Sequence, residues 1–148
     1  MKFAEALMDG KSSEKIVLKT VQKRHKSAFI SEGYNKYYDI AIPEIDKTIE
    51  VKKDFKSMET GNVVIETEMN NQPSALSTTQ ADWWVFHTEP TKLYWITPFT
   101  IRDMINIEGF KEVVFTGTGD TKSKKAYLIP IEFLKLYSKK IQTIELVL

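Results

Sequence analysis

The chain of 148 residues contains no cysteine. Disulfides and thiolate-bound metals are therefore excluded, and the expected compartment is intracellular and reducing. Histidine is nearly absent: His25 and His87 stand alone, without metal-ligand spacing, and read as packing or surface residues. No apolar run approaches the roughly 20 residues that cross a bilayer, and the N-terminus lacks the apolar core of a signal peptide. No membrane partner is expected, and the localisation reads as cytoplasmic. Glycine (6) and proline (5) are sparse, with no repeat, linker or low-complexity tract. A dominant charge is missing too, since 21 basic and 20 acidic residues leave a net of +1. Without a global basic field, a nucleic acid would need a local basic surface.

What is present is an ordinary globular composition, 42% apolar and 28% charged. It suits one domain over residues 1–148 with a real core. Residues 12 to about 29 read as a helix, with Val17, Leu18, Val21, His25 and Ala28 at helical spacing and Ser12 or Ser13 as its cap. Gly33 ends that region. Residues 37–42 and 48–53 read as strands joined by a short polar hairpin loop at 43–47. After a turn closing on Gly61-Asn62, residues 63–68 make a third strand and a three-strand meander. A loop spans 70–79. Strands follow at 82–87 and 92–96, a helix from Pro98 to about 107, a late strand at 127–130 and a short helix at 131–138. Residues 141–148 suit an edge strand or an oligomer contact. Trp83, Trp84, Phe86, Tyr94, Trp95 and Phe99 are assigned to the core or a dimer face. The order predicts an α/β (mixed α+β) domain, a central mixed β-sheet flanked by helices.

The chemistry concentrates in Glu50-Val51-Lys52. Strand side chains alternate, so Glu50 and Lys52 share one face while Ile49 and Val51 share the other. Across the hairpin stands Asp39. In the preceding helix Glu14 shares a face with Val17 and Val21, unusual for a carboxylate. Solvated strand charges and a first-turn acid favoured by the helix dipole are the plain alternatives.

Glu14, Asp39 and Glu50-x-Lys52, on helix, strand and strand, resemble the PD-(D/E)XK nuclease superfamily, most closely its Holliday-junction-resolvase-like and phage-encoded endonuclease members. The resemblance covers roughly residues 12 to 87 and includes the core order of helix, three strands, helix and strand. Tyr38 stands where the motif usually has proline, and the segment before Trp83 is short for the second core helix. The resemblance implies a restriction-endonuclease-like core and a magnesium- or manganese-dependent endonuclease. Such an enzyme hydrolyses DNA, including branched or otherwise structured DNA, and works as a homodimer. It further implies that Asp39 and Glu50 hold the metal with the backbone carbonyl of Val51, that Lys52 assists the attacking water, and that Glu14 acts as an outer ligand. For a phage-encoded member the location is the host cytoplasm.

Substrate contacts are expected from Lys53 and Lys56, from the amides of the Gly61-Asn62 turn, from Ser77, Thr78 and Thr79, and from a basic loop of Lys122, Lys124 and Lys125. Gly117-Thr-Gly119 lacks the Gly-Lys-Ser/Thr order of a phosphate-binding loop, so no nucleotide cofactor is expected. A rival acidic set, Asp54 with Glu66 and Glu68, lacks a lysine and ranks second. Two other functions stay open: an inactive DNA-binding or assembly module with the same fold, and an interaction protein whose charges are simply solvated.

Overall fold

The computed structural model describes residues 10–31, 37–116 and 123–145. Gly33, residues 117–119, Lys122 and residues 146–148 lie outside the described residues. Helix α1 (Gly10–Gln22) leads into strands β1 (Phe29–Ile30), β2 (Ile40–Ile42) and β3 (Lys47–Lys53). The one-turn α2 (Ser57–Thr60) precedes β4 (Asn62–Met69) and β5 (Gln72–Pro73). Then come β6 (Trp83–Glu89), β7 (Lys92–Ile96), α3 (Pro98–Glu108), β8 (Glu112–Thr116), β9 (Ser123–Pro130), α4 (Ile131–Tyr137) and β10 (Lys140–Thr143).

The strands form two sheets. The first has the order β1-β2-β3-β6-β7-β10, and the second β5-β4-β9-β8. The first is mixed: β1, β2 and β3 are antiparallel, while β3 runs parallel to β6 with Val51 opposite Val85. It is the central sheet of a mixed α+β fold, as the element order predicts. The predicted meander fails. The segment at 63–68 does not continue the meander, because β4 crosses to the second sheet and pairs with β9. Its buried side chains, Val63 and Ile65, face Ile129 and Tyr127 there. The three antiparallel strands are β1, β2 and β3.

Two apolar layers cover the central sheet. On one side α1 lays Val17 and Val21 against Ile40, Ile49, Val85 and Leu93. On the other, Trp84, Phe86, Tyr94 and Ile96 meet Val63, Ile65 and Ile129 of the second sheet, with Ile101 and Met104 of α3 and Leu134 of α4. Each such side chain, fully buried, contributes about 1.5–3 kcal/mol. Phe99 belongs to neither layer and is 77% exposed, since Pro98, Ile101 and Met104 fill the inner face of α3.

Helix α1 is shorter than its periodicity predicts. The chain turns at 23–28, and the Gln22 side chain donates to the Ala28 carbonyl (3.0 Å), which sets up β1. His25 therefore lies beyond the helix, and Ser13 lies inside it, where it cannot cap. At the other end of the fold Gly109 closes α3 at φ 71°. A β-carbon at Gly109 would meet nothing within 4 Å. Gly109→Ala should therefore cost only the left-handed backbone strain, about 1 kcal/mol, read as a lower urea midpoint at unchanged slope.

Candidate functional site

Strand register assembles the site. The β2–β3 ladder ends at Ile40 opposite Ile49, and Asp39, in the bend just before β2, stays against β3. Asp39 is bound to β3 twice. Its N–H donates to the Ile49 carbonyl (2.8 Å), and its carboxylate Oδ2 accepts the Val51 N–H at 2.7 Å. The carboxylate thus takes the place of a ladder partner where β2 gives out. Glu50 and Lys52 project to the face of Trp84 and Phe86, away from α1. Lys52 Nζ lies 3.3 Å from Glu50 Oε2 and 4.9 Å from the centre of the Trp84 ring. The Glu50 side chain is 18% exposed and that of Lys52 31%. By strand alternation the Val51 carbonyl points to the same side as its N–H, toward Asp39.

Burial raises the Asp39 carboxyl above its usual range, against the Val51 N–H and the charge of Lys52. Burial also raises Glu50; Lys52 opposes this, while the charges of Asp39 and, more weakly, Glu14 add to it. Glu14 is half-buried beside the stripe Ser13, Val17, Val21, and its charge reaches Glu50. Asp39 and Glu50 thus share the charge of one ammonium, Lys52. Among the described residues no three carboxylates converge into a finished cage. Lys52 is the cation that meets Glu50.

The rival acids are dispersed. Asp54 accepts the Val64 N–H (2.9 Å), and its own carbonyl accepts the Ser57 hydroxyl (2.6 Å). Glu66 receives the Ser74 hydroxyl (2.7 Å) and faces Lys124 at 4.0 Å, and Glu68 faces Lys125 at 3.5 Å. Both glutamates lie on the second sheet, within an internal strand rather than an edge.

The expected substrate contacts are mostly engaged inside the protein. Lys53 alternates to the face opposite Lys52, with Nζ 5.6 Å from the centre of the Phe55 ring, while Lys56 is exposed. The Gly61 N–H donates to Ser57 and that of Asn62 to Thr60 Oγ1, so this turn presents no spare amides. Thr78 hydrogen-bonds the Ala75 carbonyl (3.4 Å), and Thr79 Oγ1 accepts the Ala81 N–H and the Trp84 indole N–H. Ser77 is exposed beside Arg102 on the rim of a separate cleft. Lys124 and Lys125 stand on β9, not in a loop. His87, read from the sequence as a packing or surface residue, is a packing residue and fully buried. Its Nε2 meets the Pro90 carbonyl (3.2 Å), and its Nδ1 meets the Ser13 hydroxyl (2.7 Å). A carbonyl can only accept, so Nε2 carries the proton and Nδ1 accepts from Ser13. That bond pins the helical turn that carries Glu14.

The chain matches no known family model, no curated protein and no solved structure.

Proposed function

We propose that this protein is a metal-dependent endodeoxyribonuclease of the PD-(D/E)XK type. The observation that supports it most is the pair of hydrogen bonds that hold Asp39 against β3 on either side of Glu50, with Lys52 beside Glu50 on one strand face. The helix, the three antiparallel strands and the strand beside β3 fit the resemblance, but one-turn α2, β4 and β5 stand where it has a second core helix. Asp39 and Glu50 would hold magnesium or manganese, joined by the Val51 carbonyl, with Glu14 acting through water. Such an ion, when bound there, would supply Lewis-acid chemistry, polarising a phosphoryl oxygen and lowering the pKa of a bound water. Lys52 offsets charge developing on the phosphate and orients the attacking water. Its place over Trp84 keeps the ammonium at that face. In a homodimer, two such sites would cut two strands.

A second reading is an inactive DNA-binding module. The contact of Lys52 with Glu50, which sets an ammonium against a metal-ligand oxygen, favours it. Incubating supercoiled and branched DNA with magnesium, with chelator, and with Asp39→Asn separates the two. The enzyme nicks DNA only with metal and an intact Asp39. The module binds and leaves the DNA whole. If Glu66→Gln were dead while Glu50→Gln cut normally, the site would belong to the second sheet instead.

A further inference from the structure

The nearly neutral chain conceals a strong charge separation. Residues 10–26 carry six lysines and arginines against one carboxylate, a local +5 that leaves −4 on the rest of a chain with net +1. Lys15, Lys19 and Lys23 are all exposed and recur every four residues along α1 and just past its end. That spacing is about 6 Å of helix rise per step. At the C-terminal end the row runs into a cleft of about 230 Å³ lined by Lys23, Arg24, His25 and, from β10, Lys140, with Trp95 at its wall. Trp95 is fixed there by its indole N–H to Gln142 (3.1 Å). His25 faces Glu44 at 3.6 Å. Lys15, Lys19, Lys23, Arg24 and Lys140 make no ion pair among the described residues.

Solvated helix lysines are commonplace, and the helix dipole favours cations at a C-terminus. The dipole accounts for Lys23 and Arg24. Like charges at four-residue spacing, as in Lys15, Lys19 and Lys23, destabilise a helix. The dipole does not bring Lys140 from the far end of the chain to the same cleft. We infer that the basic ridge of α1 and its terminal cleft form a seat for the phosphate backbone of a nucleic acid. The row is longer than one phosphate and carries point charges on flexible stems. Phosphates stand about 3.4 Å apart per strand along a duplex, so successive ammonium groups can meet successive or alternate phosphates. Such contacts position the polymer and read no sequence. The seat does not depend on hydrolysis at Asp39 and Glu50.

Fluorescence anisotropy of a labelled DNA duplex, in chelator across a salt series, tests this. The Lys19→Gln/Lys23→Gln/Arg24→Gln variant should bind at least tenfold more weakly near 0.1 M salt. Its plot of log affinity against log salt should be shallower by about 2 to 3, at about 0.9 per lost contact. Lys140→Gln, outside the helix, should lower the slope by about 1 with α1 untouched. Lys111→Gln/Lys135→Gln, both exposed and away from α1, should change neither quantity. A triple variant with the parent slope, a parent protein that binds no duplex, or displacement by inorganic phosphate below the ionic strength at which chloride displaces would each overturn the seat. A duplex bound as expected but uncut in magnesium would remove the proposed reaction and leave the seat standing.

Discussion

Replacing Glu50 with glutamine should abolish hydrolysis, by a factor of about 10³ or more on the scale of lost electrostatic stabilisation, and should also stabilise the metal-free protein. Burial, Asp39 and Glu14 all disfavour the Glu50 carboxylate, and Lys52 only partly compensates. The unfolded chain ionises this group freely near its ordinary value of 4.5. A carboxyl raised in the folded state holds its proton longer than the unfolded chain does. Its penalty is absent below pH 4.5 and grows as pH climbs through the raised value. Glutamine removes that penalty and keeps the shape. At pH 7 the melting temperature should rise by about 2 °C or more, the response of a domain this size to roughly 0.5–1 kcal/mol. Magnesium should then raise the melting temperature of the parent by mass action and leave Glu50→Gln unmoved. A variant that melts lower and still responds to magnesium would remove Glu50 from the site. The expected opposition, activity lost and stability gained, marks carboxylates placed for chemistry rather than for folding.

His87→Ala should be the most damaging single change outside the apolar layers. Removing the ring leaves the buried Ser13 hydroxyl without its partner, at about 1–3 kcal/mol, and frees the half-buried Pro90 carbonyl at a smaller cost. It also opens a cavity beside Phe55, whose ring packs edge-on at 4.7 Å. A loss of about 3 kcal/mol lowers the melting temperature by roughly 6–12 °C. A pH signature accompanies it. Burial holds the folded imidazole neutral, with its pKa below 6.5, and Lys53 adds to this against the Pro90 carbonyl. Below pH 6.5 the unfolded chain takes a proton that the folded protein refuses, so stability falls as pH drops through that region. His87→Gln should flatten the slope between pH 7 and 5, measured by urea unfolding at each pH. An unchanged slope would show that another group carries it.

The local half of this fold is legible in the sequence. Ile49 and Val51 alternating with Glu50 and Lys52, a polar stretch with Pro43, and strands on either side specify a hairpin and put the charges on one face. Pro98 marks its helix to within a residue. Pairings between distant segments are not legible. Residues 63–68 alternate well and follow the hairpin directly, so sequence adjacency points to the wrong neighbour for β3. The true partner, β6, reads only as an apolar run. β8 carries strand-favouring Val113, Val114, Phe115 and Thr116 but no apolar–polar alternation, all five of its residues are exposed, and only the ladder to β9 holds it. Among the site residues, Asp39, Glu50 and Lys52 were readable because the hairpin joins them. The Ser13–His87 bond spans 74 residues, and no local pattern announces it. The basic seat was invisible for the same reason: Lys140 joins Lys23 only after β10 folds back along β7.

The double attachment of Asp39 to β3 has a kinetic meaning. Its contacts to Ile49 and Val51 close loops of about a dozen residues, where the entropic cost of closure is small. The pairing of β3 with β6 must instead span 34 residues, from Ile49 to Trp83, with α2, β4 and β5 between them. Contacts of short sequence separation form readily, and parallel pairings form slowly. The spacing between the two carboxylates is therefore written into a hairpin that closes on its own timescale. The apolar cover that raises their proton affinity arrives with Trp84 and Phe86, when the slower half of the sheet docks.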